Sequence, residues 1–341
     1  MKAAVYHAPY NVTGEEVEKP QAGPGEILVK MKACGICGSD LHTYRLGLFQ
    51  DEITKAVPQG RIPGHEFAGD VVEVGAGVEG ISVGDRVMAL AVGGMAEYVV
   101  ITPAALNLTV YKLPPEVSYE EAATLEPMAT SLHCAKLGTP VNGEQVVIFG
   151  AGIIGLGILQ SLKALGVDLK KIIVADMADN RLEMARKLGA TDVINVGKVD
   201  FAEKVMELAG PAPPILLLPL VTSPNVDLVY DAVGYIKDNP APPALEQALN
   251  VTREWGRIVV VGVYEGPMML DPMAMVAKQI KIQGSYAYNL PDELLEALEL
   301  IRAKKVDRNA LITHVFPLEK AKEAFETQAN TGASVKVIFK T

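Results

Sequence analysis

A glycine turn in the middle of the chain limits its fold more than any other feature. Residues 145–150 read QVVIFG, a short apolar, β-branched run of the kind that forms a buried parallel strand. The run feeds Gly150-Ala151-Gly152-Ile153-Ile154-Gly155, and the LGILQSLKALG that follows has helical spacing and closes on Gly166. Asp176 then ends the next apolar run, KKIIVAD, 24 residues after Gly152. Strand, G-x-G-x-x-G, helix and an acidic residue at the end of the second strand make up the full context of a dinucleotide site. The glycines let backbone approach a pyrophosphate seated on the helix N-terminus. Asp176 can accept bonds from ribose hydroxyls and would repel a 2′-phosphate, so NAD is expected over NADP. Arg181, five residues on, either covers the adenine or is a surface charge.

Strand and helix continue to alternate for some 140 residues. NRLEMARKLGA, DVINV, DFAEKVMELAG, VDLVYDAVG, PALEQALNVT and GRIVVVGVY follow in turn. Such alternation argues a doubly wound parallel sheet, spanning 139–290. Val261, Gly262 and Val263 fall at the end of the last strand, where their backbone could meet a carboxamide. One stretch, PAPPILLLPLVTSP (211–224), interrupts the pattern. Its composition fits a buried connection, a subunit contact or a pocket wall, and does not choose among them.

The first 138 residues read differently. Short runs (EILVKMKAC, GDVVEVG, GDRVMAL, AEYVV) stand between Gly and Pro punctuation, as in an irregular, mostly antiparallel β domain. The tail, 291–341, holds two helical stretches and a final strand-like SVKVIFK, and is expected to return to that first domain. Net charge is −10, from 31 basic and 41 acidic residues, which disfavours a nucleic-acid partner. The N-terminus lacks an apolar core and the apolar runs are too short to span a bilayer. Three cysteines cannot build a disulfide framework. A cytoplasmic location without membrane association is therefore expected.

A second constellation lies upstream. Cys34 and Cys37 form a CxxC pair with no thioredoxin-like context, and with Cys134 alone remaining a four-cysteine zinc site is excluded. Cys37, His65 and either Glu66 or Glu126 could supply three ligands and leave a fourth position open, the arrangement of a catalytic zinc. CGICGSDLH (34–42), PGHEFAG (63–69), VGDRV (83–87) and LEPMATSLH (125–133) resemble the zinc-dependent medium-chain dehydrogenases, the alcohol and sorbitol dehydrogenase superfamily. The glycine turn and SVKVIF resemble it too, so the likeness covers nearly the whole chain in order.

That resemblance implies a GroES-like, mostly-β catalytic domain (1–138 and 291–341) beside a Rossmann NAD-binding domain (139–290). It implies zinc on Cys37, His65 and Glu126, with Glu66 an exchangeable ligand or a nearby anion and Asp40 orienting His65. Thr130 would neighbour the nicotinamide. The implied activity is NAD-linked interconversion of a secondary alcohol or polyol and its ketone. The alcohol would be activated as its zinc alkoxide, and its proton would leave through Ser39 and His42. Tyr44, Arg45 and Phe49 are candidate pocket residues. A homodimer or homotetramer is expected.

Two departures from that pattern matter. The structural-zinc lobe of many relatives is reduced here to MALAVGGMAEYVV, without a cysteine, so one catalytic zinc per subunit is expected. Tyr286-Ala287-Tyr288 lacks the arginine that polyol-specific relatives often carry between two aromatics. A threonine-like amino-alcohol dehydrogenase, a zinc-free quinone or enone reductase, and a non-catalytic dinucleotide-binding protein are the competing readings.

Overall fold

The computed structural model describes residues 1–51, 61–213, 222–237 and 242–341. The chain divides into two compact units, 1–127 with 289–341, and 128–288.

In the first unit β1 (Lys2–Ala8) and β2 (Asn11–Glu16) form an antiparallel hairpin. The main sheet is built around β3 (Ile27–Gly35), whose residues are almost all buried on both faces. It pairs antiparallel with β4 (Glu66–Val74), which leads on to β5 (Arg86–Ala89) and β7 (Val110–Lys112). β6 (Tyr98–Ile101) also pairs with β3. On the other side β3 meets β15 (Lys336–Lys340), and β15 meets β14 (Ile312–Phe316). The tail thus contributes two strands of this sheet, with a helix, Ala321–Ala329, between them. The core gathers the inward residues of β3 and β4 with Tyr6, Tyr44, Phe325 and Phe339. Tyr44 is 2% exposed, with its ring 5.3 Å from Tyr10 and 5.2 Å from Phe325. Tyr44 is therefore a core residue, which corrects its expected place in a substrate pocket.

The second unit holds a parallel sheet in the order β10-β9-β8-β11-β12-β13. Its strands are β8 (Gln145–Phe149), β9 (Lys171–Asp176), β10 (Asp192–Asn195), β11 (Val226–Asp231), β12 (Thr252–Val260) and β13 (Lys281–Gly284). β8, β9 and β10 wind one way and β11, β12 and β13 the other, so the order reverses between β8 and β11. Ligands of open α/β sheets bind outside the carboxyl ends of the strands at such a reversal. The helices Ile153–Ala164, Asp179–Lys187, Phe201–Ala209 and Ala244–Val251 follow their strands as the alternation requires. β12 ends at Val260, so Val261, Gly262 and Val263 lie just beyond it rather than in it. There the Val261 and Gly262 amides both donate to the Asp231 carbonyl (2.9 and 3.0 Å).

Most of the Pro-rich segment, 214–221, lies outside the described residues. Its flanks pair with each other, Ala212 N–H donating to the Ser223 carbonyl at 2.9 Å. Among the described residues no helix is long and apolar enough to cross a membrane.

Candidate metal and dinucleotide sites

Strand pairing assembles the metal donors. In the β3–β4 ladder Gly35 lies opposite Glu66 and Cys34 opposite Phe67. Cys37, two residues past the end of β3, therefore arrives beside His65 and Glu66 at the start of β4. Cys37 also caps the helix Gly38–Leu46, where its amide donates to the Asp40 carboxylate at 2.9 Å. The Cys37 sulfur, a His65 ring nitrogen and a Glu66 carboxylate oxygen all lie within 4.8 Å of one another. Thiolate, imidazole and carboxylate at this spacing fit zinc with one position left open. One Glu66 oxygen, Oε1, is buried without a hydrogen-bond partner, as a cation's ligand would be before the cation arrives.

Burial and the Glu66 charge raise the Cys37 thiol above its ordinary value, against the pull of His65. Burial draws His65 down, but the Cys37 sulfur, Asp40 and Glu126 outweigh it and hold the imidazole well above its usual range. Burial likewise raises Asp40. Of the two carboxylates expected near the metal, Glu66 stands in the close group. Glu126, in the first turn of the helix Leu125–Leu137, reaches His65 through its charge and is not one of the three clustered donors. Cys34 is buried in the core, and its thiol is pushed well up by burial. Ser39 and His42 both lie on the helix Gly38–Leu46, three residues apart on neighbouring positions of its surface, and both are half-buried.

Two cations escaped the sequence reading. Lys336, from β15, pairs with Glu66 Oε2 and donates to the Ile36 carbonyl at 2.8 Å. Arg308 is fully buried, donates to Thr124 Oγ1 at 3.2 Å, and is drawn down to about 10 by burial, against the Glu66 charge. The signal for Lys336 was present: a lysine between the apolar neighbours of SVKVIFK, in a strand that should be buried. Arg308 left none, since VDRNA reads as a polar turn.

In the second unit the glycine turn joins β8 to the helix Ile153–Ala164. A Cβ on Gly155 would lie 1.8 Å from the Gly150 carbonyl oxygen, so nothing larger than glycine fits without moving that turn. Gly152 caps the helix Ile153–Ala164, whose first backbone bond runs from Leu156 N–H to Gly152. The amides ahead of Leu156, including Ile153, Ile154 and Gly155, precede that first bond, and free amides at a helix N-terminus are the groups that bind an anion. Asp176 Oδ2 accepts the Ala151 amide at 2.7 Å and Oδ1 that of Ala178 at 2.8 Å. Its carboxylate thus ties the turn as well as presenting charge at the end of β9. Arg181 places Nη1 3.7 Å from where a Gly152 Cβ would stand, which brings it to the turn rather than to open surface. Thr130 is half-buried on the helix Leu125–Leu137.

Comparison with known proteins agrees with both halves. Residues 23–115 match the alcohol dehydrogenase GroES-like domain and residues 154–303 the zinc-binding dehydrogenase domain. The (R,R)-butanediol dehydrogenase of Bacillus subtilis is 30% identical over 100% of this chain and 99% of its own. The crystal structure of the 2R,3R-butanediol dehydrogenase from Bacillus subtilis aligns with a TM-score of 0.82, at 28% identity over 100% of this chain and 99% of that one. The L-threonine 3-dehydrogenase of Pyrococcus abyssi is 33% identical over 95% of this chain and 93% of its own. An Escherichia coli CFT073 alcohol dehydrogenase, solved with NADH, has a TM-score of 0.81 and 27% identity over 100% of this chain and 99% of that one. The chain belongs to the zinc-binding alcohol dehydrogenase family. It is an oxidoreductase of the zinc-binding dehydrogenase kind, built from a GroES-like domain and a Rossmann domain.

Proposed function

We propose that this chain oxidises a small secondary alcohol or vicinal diol to its ketone, with NAD rather than NADP, at a single zinc held by Cys37, His65 and Glu66. The grouping of those three donors within 4.8 Å carries the reading. When bound, zinc polarises the substrate hydroxyl and NAD accepts hydride from the carbon that bears it.

The chain's own residues do the rest. Ser39 Oγ takes the proton that the alcohol gives up, and His42, one helical turn on, passes it outward; both are half-buried, so the relay ends near water. Asp40, bonded to the Cys37 amide, fixes the first turn of the helix that carries thiol, serine and histidine together. The helix start at 152–155 holds the pyrophosphate. Asp176 favours a free ribose 2′-hydroxyl and repels a phosphate there. Glu126, whose charge acts on His65, is the carboxylate that can exchange with Glu66 on the metal. A zinc-free reductase has no use for the Cys37, His65 and Glu66 group, and a dinucleotide-binding protein without turnover has none for the Ser39–His42 relay.

Metal analysis by plasma mass spectrometry should find about one zinc per chain in the wild type, as one catalytic site requires. It should be lost, together with NAD reduction, in Cys37→Ala. Rates on 2,3-butanediol, sorbitol and L-threonine would rank the substrate class; L-threonine belongs in the panel because a threonine dehydrogenase is among the relatives. Wild-type protein that stays metal-free when offered zinc, or a Cys37→Ala variant that keeps both metal and turnover, would refute the site.

A further inference from the structure

The loops that follow β11 and β12 are laced together around one buried side chain. Asp231, the last residue of β11, is 0% exposed. Its Oδ1 accepts the Val233 and Gly234 amides at 3.0 and 2.8 Å, and its Oδ2 accepts the Tyr264 hydroxyl at 2.8 Å. Its main-chain carbonyl holds the Val261 and Gly262 amides. One residue therefore grips the loop it begins and the loop after the neighbouring strand. Tyr235 N–H donates to Val263 at 3.1 Å and Glu265 N–H to Tyr235 at 2.9 Å, completing the seam. Contact is close enough to require glycine on both sides. A Cβ on Gly262 would stand 2.0 Å from the Gly234 nitrogen, and one on Gly234, at φ +76°, 2.1 Å from the Val263 oxygen.

This seam lies next to the glycine turn. Ala232 N–H donates to the Phe149 carbonyl at 2.9 Å, and a Cβ on Gly150 would meet Val233 at 2.9 Å. A dinucleotide with its pyrophosphate at 152–155 sends its adenosine ribose toward Asp176 on the β9 side, so its other nucleoside runs over β11 and β12. There, among the described residues, the Val261 and Gly262 carbonyls and the Val263 amide take part in no backbone hydrogen bond. A carboxamide offers the complement, an NH2 donor and a C=O acceptor.

We propose that Asp231 and Tyr264 are a positioning pair that sets the 261–263 backbone at the height and orientation needed to receive the nicotinamide carboxamide. The pair touches neither cofactor nor substrate; it acts through the loop. Tyr264 bears the specific weight, because the other bonds to Asp231 come from backbone and would survive any side chain at 264. The inference rests on the dinucleotide reading above, and its test separates the two.

Tyr264→Phe keeps the ring and removes the hydroxyl, leaving Asp231 Oδ2 buried without its donor. Calorimetric titration of the metal-loaded enzyme with NADH and with ADP-ribose, which lacks the nicotinamide ring, reads the two halves of the site. The expected result is NADH binding weakened roughly tenfold, the usual reach of one hydrogen bond to a charged group, with ADP-ribose affinity unchanged. Asp231→Asn, which keeps an acceptor for the two amides, should lose less than Tyr264→Phe. Equal weakening of both ligands would mean a general structural role and overturn the proposal, as would no change in either. A wild type that binds neither ligand would refute the dinucleotide site itself.

Discussion

Glu66 and Lys336 are both 0% exposed, so the carboxylate clustered with Cys37 and His65 is balanced by an ammonium equally cut off from water. Breaking such a pair from one side strands a charge, at a cost of about 3–5 kcal/mol. Lys336→Met should therefore lower the denaturation midpoint of the metal-free protein sharply, softened by the charge of buried Arg308 acting on Glu66. The double variant Glu66→Gln/Lys336→Met should recover part of the loss, because no carboxylate is then left without its ammonium, although buried Arg308 loses the Glu66 charge. Differential scanning calorimetry in chelator, comparing single and double variants, checks this; a double variant no better than the single would show that packing, not charge, sets the cost. The same residues show what the sequence could tell about the site. Cys37, His65 and the glycine turn were legible because each sits in a short motif whose spacing has a mechanism. The nearness of Glu66 to Cys37 was not, since it depends on the register that sets Gly35 opposite Glu66. Nor was the Lys336 partnership, which links positions 270 residues apart.

Elements were legible where periodicity was strong. The alternating strands and helices of 145–260 follow from β-branched runs and amphipathic spacing, and the helices Asp292–Arg302 and Ala321–Ala329 from theirs. The hairpin β1–β2 and the edge strand β13 were not. NVTGEE and KIQG carry too little apolar character to signal a strand, and they pair because neighbours offer them backbone groups. One element end also has an unusual support. Lys278, 2% exposed, donates from Nζ to the carbonyls of Leu249 and Asn250 (both 2.8 Å) and Thr252 (3.0 Å), at the end of the helix Ala244–Val251. Burial draws its pKa from 10.5 down to about 8. Between those two values the unfolded chain binds more protons than the native one, so this group makes stability rise with pH across that window. The stability of wild type relative to Lys278→Met should thus climb from pH 8 toward 10.5, by at most about 1.4 kcal/mol per pH unit. Urea midpoints of the two proteins at matched pH values measure it, and a difference that stays flat or falls would show that the three carbonyls keep the ammonium charged throughout.

Across the whole molecule, the two ligands of the proposed reaction fall to different units. The metal donors all come from 1–127, and the pyrophosphate seat, Asp176 and the 261–263 backbone all come from 128–288. Each unit has its own apolar core. A ligand stabilises what it binds by mass action, worth about 4 kcal/mol at a thousandfold excess over its dissociation constant. Removing zinc should therefore withdraw support first from the segments that carry its donors, the end of β3, the helix Gly38–Leu46 and the start of β4. Amide hydrogen exchange on zinc-loaded and chelated protein should show faster exchange confined to those segments, with the protection of β8, β9 and the helix Ile153–Ala164 unchanged. Adding ADP-ribose to the chelated protein should slow exchange at 150–156 and leave 35–46 as chelation left it. Zinc loss that deprotects the parallel sheet equally would mean that the two cores unfold as one cooperative body, and that metal binding is linked to the stability of the whole chain rather than of the first unit.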